Sequence, residues 1–236
     1  MKKGITKILS ACVFAFVVFL AAGTQSKAAV NMGVKQTGAG SSYVNLAWDA
    51  QLGAGHYHTQ FSQDGKNWID MDNSSSPSES VYNLTQGASY YARVVAYKDS
   101  HYMGTHVMVG VSETAIVSTK PAEVTGLTQT AAGVNSVSMS WNASAGAASY
   151  VIYGYINYNW TQIGTSATNS ATISGVAATT STRFSVAAVK NVTGGTVTGD
   201  QCSGVEMKAI PIKVSRIAMQ YYWDSLKEAK YIWTDV

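Results

Sequence analysis

The chain contains few cysteines, prolines and charged residues, and each shortage excludes a class of protein. Two cysteines in 236 residues cannot form the disulfide framework that holds many small secreted domains together. Three prolines argue against a collagen-like chain, and a charged fraction of 12% argues against a coiled coil or an acidic disordered chain. The length suits two domains of about 100 residues each, and abundant Ser, Thr and Gly favour short strands with polar faces.

Motifs of the common catalytic and nucleotide-binding sites are also missing from the sequence. It contains no G-x-S-x-G, HExxH, Walker loop, CxxC or dinucleotide fingerprint, and its sparse acidic residues lie in predicted turns. We therefore predict a protein that is not an enzyme and that requires no cofactor.

Basic residues are concentrated at the amino terminus. Four of the 16 Lys and Arg side chains lie in the first 28 residues, so the 12 that remain nearly balance the 13 acidic ones. A chain without a net positive surface has no electrostatic reason to bind nucleic acid or an anionic membrane. We therefore expect no nucleic-acid partner.

Residues 1–28 have the three parts of a secretory signal peptide. A positively charged start, MKKGITK, precedes an apolar run from Ile8 to Ala22, and small residues flank Lys27. The apolar run is shorter than the roughly 20 residues that a permanent transmembrane helix needs. We predict cleavage near Ala29, no stable membrane insertion afterwards, and a secreted or cell-surface location. An uncleaved anchor is the alternative.

An internal repeat organises the rest of the chain. At an offset of 93 residues the stretch VNLAWDA aligns with VSMSWNA, so that Trp48 meets Trp141, and Tyr57 meets Tyr150. Further matches continue at offsets of 92 and 90. Self-similarity at a fixed period indicates repeated structural units.

Within each copy, apolar and polar residues alternate as they do in strands that bury one face. Val44, Leu46 and Trp48 point one way, and clusters of Gly, Asn, Asp and Ser separate such runs. Because no helical stretch lies between the runs, the pattern predicts two antiparallel sheets packed face to face. We expect one such module over residues 29–120 and a second over residues 121–211.

Both copies resemble the fibronectin type III module. The residues that carry the resemblance are Trp48, Tyr57, Leu84, Tyr90, Trp141 and Tyr150. The resemblance implies an all-β fold of two tandem seven-stranded antiparallel β-sandwiches, with these six residues in the cores. It also implies that Tyr90 forms a tyrosine corner, in which its hydroxyl bonds back to the backbone. In the second copy Thr182 replaces this tyrosine, so we expect a less firmly fixed corner there. An antibody-like domain fits less well, because it needs a cysteine pair across the sheets.

The tail, residues 212–236, is open to two interpretations. Trp233 lies 92 residues after Trp141, which predicts the first two strands of a truncated third module. The alternative is a short terminal helix, because the stretch from Ser225 to Glu228 fits a capping box. Both interpretations stay open at this point.

All four histidines of the chain fall in the first module. His56, His101 and His106 lie in predicted loops at one end of the sandwich, where they could converge on a zinc or copper ion. Their spacing matches no dedicated metal motif, so we predict no metal site, and we keep a site at these three residues only as an alternative to exposed loop histidines.

Aromatic residues on outward strand faces are candidates for binding a partner. These candidates, taken with neighbouring polar residues, are Tyr91, Arg93, Tyr97, Tyr102, Tyr153 and Tyr155. Flat rings with one polar edge stack on sugars or anchor proteins. The resemblance implies a non-catalytic spacer or adhesion protein, of a bacterium, that binds an unknown protein or polysaccharide partner at or outside the cell surface. The alternative is a set of accessory modules of an extracellular carbohydrate-active or proteolytic enzyme.

Overall fold

The computed structural model describes residues 29–99, 106–178 and 181–211, together with the backbone of two strands at 217–220 and 230–233. Every regular element in these ranges is a β-strand. Over the same ranges, we find no helix that would be able to cross a membrane. The predicted signal peptide, residues 1–28, lies outside the described residues.

The first module contains eight strands. In chain order they are β1 (Lys35–Ala39), β2 (Val44–Ala47), β3 (His56–Ser62), β4 (Ile69–Ser74), β5 (Ser78–Val81), β6 (Ser89–Asp99), β7 (His106–Val111) and β8 (Ala115–Ser118). One sheet has the order β1-β2-β5, and the other has the order β4-β3-β6-β7, with β8 also paired to β6. Because β7 and β8 pair with successive parts of β6, they correspond to one seventh strand that is interrupted after Val111.

The second module repeats this plan. Its strands are β9 (Thr128–Gly133), β10 (Ser136–Ser140), β11 (Ser149–Ile156), β12 (Asn159–Ser166), β13 (Ser170–Ser174), β14 (Thr182–Val192), β15 (Gly195–Thr198) and β16 (Val205–Met207). They form a β13-β10-β9 sheet and a β12-β11-β14-β15 sheet, with β16 also paired to β14. The prediction of two tandem antiparallel β-sandwiches is therefore confirmed, with the last strand of each module split in two.

The position of the fourth strand distinguishes these modules from constant-type antibody domains. In that antibody fold the fourth strand joins the sheet of the first, second and fifth strands. Here β4 pairs with β3, and β12 pairs with β11, so the fourth strand lies in the other sheet. This arrangement is fibronectin type III-like, as the sequence resemblance implies.

Each core is built around one tryptophan and one tyrosine in the same geometry. Trp48 meets Tyr57 edge to face, with ring centroids 5.4 Å apart, and Trp141 meets Tyr150 in the same way at 5.3 Å. All four side chains are buried. In both modules the buried indole N–H has no hydrogen-bond partner among the described residues. Edge-to-face packing and burial of apolar area therefore hold these rings in place.

The tyrosine corner is present in the first module. Leu84 and Tyr90 are buried, and the Tyr90 hydroxyl accepts a hydrogen bond from the Thr85 N–H at 3.0 Å. In the second module Val176 is buried in the position of Leu84, while the half-buried Thr182 stands in place of the tyrosine. A threonine side chain is too short to reach back to the preceding turn as Tyr90 does.

The tail contains a pair of antiparallel strands, β17 (Ile217–Gln220) and β18 (Lys230–Trp233). Trp233 is thus in a strand, in a region that the helical interpretation would have included. Residues 225–229, which carry the capping-box pattern, lie outside the described residues. A strand pair is what the first two strands of a third sandwich would form, and the truncated module stays a prediction.

Candidate functional site

Three strand ends of the first module meet at one point: the start of β3, the end of β6 and the start of β7. In the pairing of these strands Asp99 lies opposite His106, and His56 lies opposite Tyr97. The carboxylate Oδ1 of Asp99 is 2.6 Å from Nδ1 of His56 and 3.9 Å from Nδ1 of His106. We call His56, Asp99 and His106 the histidine cluster.

Packing fixes one member of the histidine cluster and leaves the other two accessible. The His56 ring stacks on Tyr97, with centroids 5.3 Å apart, and its side chain is 17% exposed. The side chains of His106 and Asp99 are 59% and 64% exposed. Gly55 contributes by having no side chain, because a Cβ there would collide with the Asp99 carboxylate. The site therefore has one rigid imidazole and two side chains that can adjust.

A third imidazole borders the histidine cluster. The His58 ring lies 5.4 Å from the His56 ring and 4.9 Å from the Tyr97 ring, measured between centroids. Desolvation lowers the pKa of His58; the charge of Asp70 acts in the opposite direction, and the two neighbouring histidines lower it further. The open groove beside the cluster is lined by His56, His58, Asn73, Ser74, Ser75 and His106.

The structure brings two of the three predicted histidines together and adds a carboxylate. His56 and His106 are the first residues of β3 and β7, not loop residues as predicted, because strand pairing extends to the end of the sheet. His101 lies outside the described residues, as does Tyr102. Sequence reasoning assigned Asp99 to a turn; only the register of β6 on β7 shows that it faces His106.

The outward face of β6 is partly covered by contacts among its own side chains. The Arg93 guanidinium lies 4.1 Å from the centre of the Trp68 ring, and Arg93 Nε donates to the Gln60 side chain at 2.8 Å. Desolvation lowers the pKa of Arg93 and raises that of Tyr97, which forms one wall of the histidine cluster. Tyr91 remains exposed on this face.

A more accessible aromatic surface lies on the hairpin that joins β11 to β12, residues 155–160, which we call the aromatic hairpin. Tyr155 and Trp160 are cross-strand partners with ring centroids 5.3 Å apart. The two turn residues, Asn157 and Tyr158, have φ angles of 49° and 65°. Such a turn favours Asn-Gly, so a tyrosine in its second position is strained.

Tyr158 is 90% exposed, so the strained turn holds a whole aromatic side chain in solvent. Of the predicted partner residues in this module, Tyr155 is exposed and Tyr153 is half-buried. Sequence reasoning did not select Trp160 or Tyr158 for this surface. The sequence feature that could have identified this surface is the pair of aromatic residues Tyr158 and Trp160, two residues apart at a tight hairpin.

The two modules also contact each other, at what we call the module joint. Thr193 N–H donates to the Ile116 carbonyl at 2.8 Å, and Ile116 N–H donates to the Thr193 hydroxyl at 2.7 Å. The Lys190 ammonium donates to the Gly87 carbonyl, and Lys190 is only 4% exposed. Desolvation lowers the pKa of Lys190. An ion pair between Lys120 and Asp200, with N and O 2.5 Å apart, adds a more exposed contact.

The chain is similar in fold to solved structures, but it matches no family and no curated protein by sequence. The fold is similar to that of the FN1–FN3 domains of chicken CNTN1, with 14% identity and a TM-score of 0.43, over 77% of this chain and 68% of that one. It is also similar to a segment of two fibronectin type III domains from chicken tenascin, with 16% identity and a TM-score of 0.38, over 75% and 97%. The class of this chain, a tandem of fibronectin type III-like β-sandwiches, rests on its own strand order.

Proposed function

We propose that the chain is an exported, non-catalytic spacer and adhesion protein, which holds two modules in a defined relation and presents surfaces to a protein or glycan partner at or outside the cell surface. The observation that carries this proposal is the module joint. A spacer has to resist bending at its linkers, and direct contacts between neighbouring modules supply that resistance. Inter-domain motion is otherwise the default for tandem domains.

The contacts of the module joint differ in strength. The Lys120–Asp200 pair is partly exposed, and surface ion pairs contribute little. Lys190 is buried, and a charge-assisted hydrogen bond from a buried ammonium is stronger than a neutral one. Gly146 leaves room for it, because a Cβ on Gly146 would collide with the ammonium. We therefore assign the main stiffening role to the bond from Lys190 to Gly87.

A distance measurement between the modules tests this spacer function. Spin labels attached at Leu52→Cys and Ser174→Cys, in a background with Cys12→Ser and Cys202→Ser, report the separation of two exposed positions, one in each module. We expect a narrow distance distribution that Lys190→Gln broadens. The matched control is Lys98→Gln, since Lys98 is the exposed counterpart of Lys190 in the repeat. A wild-type distribution as broad as that of the Lys190 variant would contradict the spacer function.

The aromatic hairpin favours a second candidate function, that of an accessory module of an extracellular carbohydrate-active enzyme. Exposed rings at a hairpin tip are suited to stacking on sugar rings, because each ring offers a flat apolar face and a polar edge. The exposed members are Tyr155, Tyr158 and Trp160.

A binding screen separates glycan from protein recognition. Soluble polysaccharides and matrix proteins are tested against the wild type, against Trp160→Ala and Tyr158→Asn, and against Tyr82→Asn, which removes an exposed tyrosine of the first module. Loss of glycan binding in the two hairpin variants alone would support the accessory function. Protein binding without glycan binding would support adhesion, and binding that every variant retains would contradict a role for the aromatic hairpin.

A further inference from the structure

The histidine cluster contains the donor atoms of a transition-metal site. Two imidazole nitrogens and one carboxylate oxygen are ligands that Zn²⁺ and Cu²⁺ accept in proteins. In the structure, candidate donor atoms of His56, Asp99 and His106 all lie within 4.8 Å of one another. Zinc bonds of about 2.0–2.2 Å at tetrahedral angles place donors about 3.3–3.5 Å apart. Binding thus needs the most distant donors to approach by up to about 1.5 Å, and the His56 and Asp99 donors, 2.6 Å apart, to separate by somewhat less than 1 Å.

The side chains that would have to move are those free to do so. His106 and Asp99 are more than half exposed, whereas His56 is held between the Tyr97 ring and the His106 ring. Only these two exposed side chains lose conformational freedom on binding, because packing already orders His56. Without a cation, the short contact from His56 Nδ1 to Asp99 Oδ1 is a hydrogen bond.

The second module shows that the fold alone does not produce this cluster. By strand register His56 corresponds to Ser149. His56 pairs with Tyr97 and Ser149 pairs with Val189, and each is the last pair of its two strands, next to the pair formed by the core tyrosine, Tyr57 or Tyr150. The pair formed by Asp99 and His106 corresponds to Asn191 and Thr196. The corresponding side chains are thus neutral hydroxyls and an amide, which are poor ligands for Zn²⁺ or Cu²⁺.

We propose that His56, Asp99 and His106 bind one divalent transition-metal ion of the Zn²⁺ or Cu²⁺ class. Solvent occupies the remaining coordination position, on the side that faces the open groove. The ion joins side chains from the ends of β3, β6 and β7, three strands that are already paired along one sheet. His56 can bind the ion only through an unprotonated ring nitrogen, so its ring proton lies on the other nitrogen once the ion replaces the hydrogen bond to Asp99.

Calorimetric titration of the full chain with ZnCl₂ and with CuCl₂, after removal of metals with EDTA, tests the proposal. We expect one ion per chain, and an affinity that falls about tenfold or more in each of His106→Asn, Asp99→Asn and His56→Phe. The last variant keeps an aromatic ring on Tyr97. The control is Asp72→Asn, which removes an exposed carboxylate elsewhere in the same module and should leave the affinity unchanged.

Two further readouts separate loss of ligands from loss of fold. Thermal unfolding in EDTA should be the same for the wild type and for the two exposed-site variants, His106→Asn and Asp99→Asn. The electron paramagnetic resonance spectrum of bound Cu²⁺ should show coupling to two imidazole nitrogens, and to one after His106→Asn. The proposal is overturned if the wild type binds neither ion, or if binding survives in all three ligand variants.

Discussion

The two modules share one β-sandwich frame, but they differ at the end of the sandwich where β3, β6 and β7 meet, and at the tyrosine corner. In both, a buried tryptophan meets a buried tyrosine at the same distance and angle, and the tyrosine hydroxyl accepts a backbone N–H bond from the preceding turn: from Gln51 to Tyr57 at 3.1 Å, and from Ser144 to Tyr150 at 3.0 Å. The histidine cluster is found only in the first module. The shared strand arrangement therefore determines which positions lie close together. The residue types at those positions determine what each module can bind.

A glutamine clamp shows how closely the frame is repeated. The Gln36 amide spans from β1 to β8, donating to the Ser118 carbonyl at 2.7 Å and accepting the Ser118 N–H at 2.9 Å. The Gln129 amide makes the same two bonds with Lys208, at 2.8 Å and 3.1 Å. One amide side chain thus fastens the first strand of each module to the end of its last strand.

The largest expected effect comes from removing either core tryptophan. Trp48→Ala and Trp141→Ala should each lower the free energy of unfolding of their own module by about 3–5 kcal/mol, because each leaves a large cavity in a packed core. Chemical denaturation of the two variants checks this. Trp160→Ala, at a partly exposed ring, should cost far less, and a comparable loss there would contradict the assignment of the cores.

A smaller effect should separate the modules at the tyrosine corner. Tyr90→Phe removes the hydroxyl that accepts the Thr85 N–H, so we expect the first module to lose about 1 kcal/mol of unfolding free energy. Thr182→Ala in the second module should cost less, since no corner bond is lost. Equal losses in the two variants would show that the corner does not distinguish the modules.

Cys202→Ser should change the stability very little, because this substitution makes the second module more like the first. Val94 N–H donates to the Ser112 hydroxyl at 2.8 Å, and Val186 N–H is 3.2 Å from the buried Cys202 thiol. Cys202→Ser places a hydroxyl where its counterpart already has one. The midpoint temperature of thermal unfolding should shift by no more than a few degrees. A much larger decrease would show that Ser112 and Cys202 do not occupy equivalent positions.

A small, pH-dependent effect is expected at the hairpin that joins β3 to β4. The Asp64 carboxylate accepts N–H bonds from Asn67 and Lys66 and a hydroxyl bond from Ser62, which hold its pKa well below the ordinary value. A carboxyl whose pKa is lowered by folding stabilises the fold above its unfolded pKa and loses that contribution as the pH falls. Asp64→Asn should therefore destabilise the first module slightly at pH 7.

The pH series provides the control for this prediction. The difference in thermal unfolding between Asp64→Asn and the wild type should shrink as the pH falls below about 4, where the unfolded carboxyl takes up its proton. The corresponding hairpin of the second module turns at Asn157 and Tyr158 without such a carboxylate, and should show no such dependence. A difference that grows on acidification would have the wrong sign.

The alternation of apolar and polar residues made the two sandwich cores predictable from the sequence. It carries no information on contacts that depend on strand register or on how the modules meet, and those contacts were not predicted. Alternation with period two places Trp48 and Trp141 in cores wherever the strands pair, because burial depends only on which face a residue occupies. Asp99 was missed because its proximity to His106 depends on the register of two strands, which spacing along the chain does not specify. The contact from Lys190 to Gly87 depends on how two modules meet, about which the repeat carries no information.

The central claim is that the two modules hold equivalent positions in the same geometry and differ in the side chains there. The most direct test is to transfer the histidine cluster to the second module. Ser149→His, Asn191→Asp and Thr196→His, made together in the full chain, put the same donor types at the equivalent positions of the second module. Zinc titration should then give two ions per chain in place of one. A variant that folds normally yet still binds a single ion would contradict the claim that the two frames position these side chains alike.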